Sequence, residues 1–217
     1  MPGRVEEGAA TRRRIIATAE RLFGRNGIDG VSIREIAAGA KVNSAATFYH
    51  FGTKSDLVAA ILKLRAAELR ELSAPIAFAM SETPPTVRQI VEMLVRPMVA
   101  MGKNYAAFIA AVTNHPQYQR LGGKEFENES RVLLEQFKRA APQLSAEMAA
   151  SRLAMAQVLT MQALGNLRQR IAYWRRHLDP GSEIDDVEAL IDFIAGALLA
   201  PTSESAEIDS VRTKSSA

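Results

Sequence analysis

The chain has 217 residues, 47% of them apolar, no cysteine and a formal net charge of +3. That apolar share supports a substantial packed core, in one large domain or a small one plus a medium one, and the lack of cysteine excludes disulfides and thiolate metal sites and suits a reducing cytoplasm. No apolar run reaches the roughly 18 residues that span a membrane, and Met1 to Thr11, polar and carrying Glu6 and Glu7, does not read as a secretory signal.

The charge is unevenly spread. Residues 1–65 hold 11 Lys/Arg against 6 Asp/Glu, whereas residues 66–217 hold 16 against 18. A basic first part joined to a mildly acidic remainder is the asymmetry expected when one end meets a polyanion, either nucleic acid or an anionic membrane surface.

Almost every segment reads as helix and nothing alternates convincingly at period two, so the expected fold class is all-α. The first helix, about Ala10 to Asn26, sets Ile15, Ile16, Ala19, Leu22 and Phe23 on one stripe and ends at Gly27, a C-terminal cap. A second begins at Ser32, where Ser32 and Glu35 fit a capping box; it turns Ile36 and Ala37 inward and stops near Gly39. A third takes Asn43 as N-cap and runs to about His50. A fourth starts at Thr53, with Asp56 three residues on, and continues to about Leu72.

After Pro75, Thr83-Pro84-Pro85 reads as a helix start with proline in the first turn. The helix that follows carries Ile90, Met93, Leu94, Met98 and Met101 on one side, and Pro97 is expected to kink it. Helices at about 103–114 and 124–140 precede the long pattern 145–176, and a last helix covers 183–199. Pro201 to Ala217 is rich in Ser, Thr and Glu without periodicity and is expected to be a disordered tail.

Function concentrates in Ser32 to Lys54, SIREIAAGAKVNSAATFYHFGTK. Two short helices joined by a tight turn near Gly39 to Val42 form a helix-turn-helix, whose second rod fits a major groove about 12 Å wide. On that rod Thr47 and Phe51 lie one turn apart and face inward, while Ala45 and Tyr49 lie opposite, flanked by Ser44 and Phe48. Small side chains let the backbone approach base edges, and Tyr49 and His50 can donate to phosphates. Lys54, in the first turn of the next helix, puts a cation beside free N–H groups and so suits a phosphate.

The run Val42 to Leu57, VNSAATFYHFGTKSDL, resembles the recognition helix and following turn of the TetR family of bacterial transcriptional regulators. Arg14 to Gly27, RIIATAERLFGRNG, is similar to that family's first helix, and together they cover about the first 65 residues. The two alanines before Y-H-F-G-[ST]-K mark a subgroup. The resemblance implies an all-helical homodimer, with a DNA-binding domain at 1–55 (motif about 32–51), a linker helix, and a ligand-binding and dimerisation domain at 56–200. By position, Arg34, Ser44, Ala45, Ala46, Phe48, Tyr49, His50 and Lys54 match the family's DNA-contacting sites. Two departures stand out: Lys41 occupies the turn position usually held by glycine, and Thr47 an inward position usually aliphatic. The segment from about His115 to Arg170 faintly resembles members that respond to fatty acids or their thioesters.

Met93, Met98, Met101 and Met155, with Tyr105, Phe108 and Phe126, are either plain core or the lining of an adaptable pocket for an apolar effector. Leu153, Leu159 and Leu164, with Val187, Leu190, Ile194 and Leu198, are candidates for a four-helix contact between subunits. A two-fold dimer implies a palindromic or near-palindromic double-stranded operator. No Gly-rich phosphate loop, G-x-S-x-G elbow, H-E-x-x-H pair or cysteine nucleophile is present, so no enzyme, cofactor or metal site is expected.

Overall fold

The computed structural model describes residues 4–80, 83–175 and 185–201, and every regular element among them is helical. Helix α1 (Arg4–Asn26) begins earlier than its apolar stripe required and ends at Gly27, in the left-handed region at φ 72°. Helices α2 (Ile33–Gly39) and α3 (Ser44–Phe51) are too short to persist alone in water, so side chains must fix their starts. Ser32 Oγ accepts from the Glu35 N–H at 3.2 Å while the Glu35 carboxylate accepts from the Ser32 N–H at 2.7 Å. Asn43 Oδ1 accepts from the Ala46 N–H at 2.7 Å. Helix α4 (Lys54–Ala79) opens on the same reciprocal bonding between Thr53 and Asp56.

These bonds hold two carboxyls below their ordinary value, Glu35 through the backbone and then the hydroxyl of Ser32, Asp56 through the hydroxyl and then the backbone of Thr53. What the carboxylates lend to the two helix starts is present above the ordinary carboxylate range and is lost as pH falls through the lowered values.

Several boundaries differ from expectation. α4 does not stop at Leu72 but runs through Pro75 to Ala79. Proline there removes only the donor to the Glu71 carbonyl, and Ile76 and Ala77 hold the last turn by packing on the second of two cores. Pro84 and Pro85 lie outside α5 (Val87–Met101), because Thr86 is its N-cap and bonds reciprocally with Gln89. α5 passes Pro97 without interruption. Beyond α6 (Lys103–Thr113), a short helix not expected from the sequence, α7 (Gln119–Glu125), ends at Phe126, and the helix expected over 124–140 starts after it as α8 (Glu127–Ala140). α9 (Ala146–Arg175) and α10 (Asp186–Leu199, capped by Asp185) complete the chain order. The expected tail lies, from residue 202 on, outside the described residues.

The first core joins Ile15, Phe23, Ile36, Phe51, Leu57 and Ile61 of the first four helices to Phe108, Ile109 and Val112 of α6, and so runs across position 55/56. The second lies among α5, α8, α9 and α10, built on Ile90, Val91, Phe137, Leu153 and Ile191. α1 lies directly along α6: the Phe23 and Phe108 rings stack with centroids 6.3 Å apart, and a Cβ at Gly24 would sit 2.8 Å from that of Ala107. Only glycine permits that approach. No helix among the described residues is long and apolar enough to cross a membrane.

Two residues of the helix-turn-helix work against stability. Lys41 is left-handed, with φ 56°. Thr47 is 1% exposed, and its hydroxyl has no hydrogen-bond partner among the described residues. Thr47→Val is therefore expected to raise unfolding stability by about 1 kcal/mol, seen as a higher urea midpoint at unchanged m-value. A lower midpoint would mean that the hydroxyl is bonded, for instance to a buried water.

Candidate nucleic-acid interface and ligand cavity

Helix α3 stands on the first core through Thr47 and Phe51, both buried. Its other side is open. Phe48 is 58% and Tyr49 87% exposed, Ala45 is exposed, and Ser44, Ala46 and His50 are half-buried. Arg34 on α2 is exposed. A helix start of small residues followed by bare aromatic rings offers close backbone approach at one end and hydrogen-bonding rings at the other. The Arg12 guanidinium lies 5.2 Å from the Phe51 ring centre, adding a cation beside the end of α3.

Lys54 is placed differently from the other candidates. It is half-buried, and its Nζ donates to the Ile28 carbonyl at 3.0 Å and the Val31 carbonyl at 3.1 Å. It thereby pins the loop between α1 and α2 to the start of α4. An ammonium has three N–H donors, so one remains after both carbonyls are served.

A cavity of about 410 Å³ lies among α4, α5, α6, α8 and α9, within the range typical of small-molecule sites. Of the expected lining, Met93, Met98, Tyr105 and Phe126 reach it. Three do not. Phe108 is fully buried on the opposite face of α6 against Phe23, Met101 packs at the edge of the first core, and Met155 is 66% exposed on the outside of α9. α6 is buried on two sides, between α1 and α9, so its aromatic residues divide between core and cavity.

Sequence reasoning misses Leu69, Arg70, Ser73, Ala74 and Ala77 in the second half of α4, the last three of them beyond the expected end at Leu72. It misses Glu129 too, since no periodic signal separates it from Glu125 or Glu127. Arg70 Nη1 donates to Glu129 Oε1 at 2.8 Å. Burial holds the Tyr105 phenol well above its usual value; Arg65 opposes this, and Glu20, Glu129 and Glu68 add to it. Beside Tyr105, Arg65 Nε donates to the buried Glu20 carboxylate at 2.6 Å, joining α4 to α1.

The expected subunit contact falls mostly on residues used within the chain. Leu153, Leu190, Ile194 and Leu198 are buried in the second core, Val187 packs on its edge and Leu164 on the edge of the first; Leu159 is exposed. The apolar stripe of α10 is covered by α5 and α9 of the same chain. α9 presents three faces: Ala149, Ala156 and Thr160 to the core, Ala150, Ala154 and Gln157 to the cavity, with Leu153 and Met161 shared between core and cavity, and Met148, Met155, Val158 and Leu159 outward. Phe193 on α10 is likewise exposed.

Residues 15–61 match the model of bacterial regulatory proteins of the tetR family, and residues 92–197 match that of the tetracyclin repressor-like C-terminal domain. The chain belongs to the TetR family. Its α2–α3 unit lies inside the first of these matches and most of its cavity lining inside the second. An HTH-type repressor of Mycobacterium tuberculosis is 44% identical over 72 residues, 33% of this chain and 37% of that one. The regulator AcrR of Shigella flexneri is 39% identical over 67 residues, 31% of each chain. The match thus spans only about a third of these relatives' length. Over nearly the whole chain the TetR fold is shared with FadR of Bacillus subtilis, solved with stearoyl-CoA (TM-score 0.64, 13% identity, 87% of this chain and 97% of that one). It is shared equally with the multidrug binding protein EbrR, solved with malachite green (TM-score 0.57, 22% identity, 88% and 98%).

Lys54→Met is expected to strip the Ile28 and Val31 carbonyls of their donor and to cost about 1–3 kcal/mol of stability. Urea unfolding of the DNA-free protein reads this directly, and unchanged stability would show that the ammonium does not hold the loop.

Proposed function

We propose that this TetR-family protein is a cytoplasmic, ligand-responsive transcriptional repressor: a homodimer that binds a palindromic or near-palindromic double-stranded DNA operator and leaves it when a small, largely apolar effector enters the cavity. Helix α4 carries this reading. Its first residue, Lys54, is clamped to the loop before α2, and about four turns further on Leu69, Arg70 and Ser73 form cavity wall. One rigid rod thus touches both the DNA-reading unit, residues 1–55, and the effector site in residues 56–200.

In this account α3 enters the major groove with Ser44, Ala45 and Ala46 nearest the base edges. Phe48, Tyr49 and His50 approach the groove wall and the phosphates, together with Arg34 and the spare N–H of Lys54. The run AATFYHFGTK supports a place in the subgroup with paired alanines before Y-H-F-G-[ST]-K. Curated relatives named as repressors support the sign of regulation, and the ligands in the FadR and EbrR structures support an internal site in this fold.

Two linked reading heads must meet two successive grooves, so an effector need only prefer the spacing that misaligns them. A coupling of roughly 1–3 kcal/mol changes operator affinity about 5- to 150-fold. Titrating labelled operator by fluorescence anisotropy with candidate effectors tests this, beside calorimetry with and without DNA. Met98→Trp, which fills the cavity, is expected to abolish release while the protein still binds the operator. A wild-type protein whose DNA affinity no effector shifts would instead be a ligand-independent DNA-binding protein.

Dimerisation is assigned to the outward face of α9 with Phe193 of α10. Val158→Asp with Phe193→Asp is expected to give folded monomers in sedimentation, whereas Ile194→Asp, in the second core, is expected to unfold the chain. A dimer surviving the first pair of changes would place the interface elsewhere.

A further inference from the structure

The cavity is walled mainly by apolar side chains, and only two residues of its lining carry charge, Arg70 and Glu129. They are not equally satisfied. Glu129 Oε1 accepts from Arg70 at 2.8 Å, but Oε2 is shut off from solvent and has no hydrogen-bond partner among the described residues. A carboxylate oxygen left in that condition costs free energy. Glu129 lies in the cavity wall and the last torsion of a glutamate is broad, so its carboxylate is free to turn an oxygen toward a guest while the several donors of the Arg70 fork keep the ion pair.

The wider field has the same sign. The charges felt by Tyr105, which also lines the cavity, are the carboxylates of Glu20, Glu129 and Glu68 against the Arg65 guanidinium, and Arg70 is the partner of Glu129. Negative groups outnumber positive ones, and the one without a partner can only accept. An anionic head group would meet repulsion there, with only the Arg70 guanidinium, already paired with Glu129, to offset it.

We infer that the cavity selects an apolar amine, protonated at neutral pH, whose ammonium donates to Glu129 Oε2 while its hydrocarbon part fills the space between Met93, Met98, Leu133 and Leu153. The assignment rests on the cavity being the effector site, as proposed for the function. It is specific in chemistry: the head group must be a donor, and a cation for preference.

The test is calorimetric titration of the full-length, DNA-free protein with decylamine, decanol and decanoate, three probes with one chain length and different heads. Decylamine is expected to bind about tenfold or more tighter than decanoate. Glu129→Gln should weaken decylamine by a similar factor and leave decanol nearly unchanged. Arg70→Met, which frees the carboxylate without removing it, should keep decylamine binding, and Glu127→Gln, outside the cavity, should alter nothing. The inference is overturned if decanoate binds tightest, if the amine keeps its advantage in Glu129→Gln, or if none of the three binds. Adding labelled operator separates the two levels. Decylamine that binds through Glu129 yet releases no DNA would defeat the repressor reading alone, and decanoate that both binds and releases would defeat the amine assignment alone.

Discussion

The seam between α1 and α6 is the constraint on which the rest of the structure depends. Gly24 lets the two helices touch at backbone distance, and the stacked Phe23 and Phe108 seal the contact. Because of it, the short α2 and α3 do not float on a linker but share one core with a wall of the cavity. A close-packed interior has little room to absorb displacement, so α6 cannot move far without carrying α1. The face of α6 that meets α1 and the face that meets the cavity are parts of the same three turns.

Polar groups reinforce the seam at its margins. Ser55 and Tyr118 share a hydrogen bond of 3.1 Å, and His115 Nε2 lies 3.1 Å from the Asp29 carboxylate, each pair joining the DNA-reading unit to the turn after α6. Deeper in, burial pushes the Glu20 carboxyl above its ordinary value, with Arg65 pulling the other way. Burial alone would depress the Arg65 guanidinium, yet Glu20 and Glu68 more than restore it. A pair of this kind adds little net stability, since desolvation offsets attraction. Its effect is to fix the register of α4 against α1, because breaking it would strand a charge.

What was legible in the sequence was what is decided locally. The starts of α2, α3 and α4 depend on a hydroxyl or amide and the N–H three residues on, so Ser32, Asn43 and Thr53 could be read from spacing. The inward pair Thr47 and Phe51 follows from one helical turn. Partner choice is not local. Met98 and Phe108 are both apolar residues on amphipathic helices and both join the first core, and only the position of α1 turns Phe108 away from the cavity that Met98 also lines. Leu190, Ile194 and Leu198 form a stripe that fits a neighbouring subunit as well as the α5 and α9 that cover it. The end of α4 is not local either: the single bond lost at Pro75 is outweighed by packing of the turn after it. Lys54 was legible as a cation near the motif, not as the clasp of a loop 23 to 26 residues upstream.

The three faces of α9 have a consequence for how such a chain can diverge. Core, cavity and outward positions interleave along one rod, so a single inserted or deleted residue turns everything beyond it by about 100° and scrambles all three surfaces together. Exchanges in place are another matter. Ala150, Ala154 and Gln157 contribute to the cavity without belonging to either core, and none is part of the outward apolar stripe. Drift in the molecule recognised can therefore proceed through these positions one at a time, at fixed helix length, while fold and outward surface stay under separate selection.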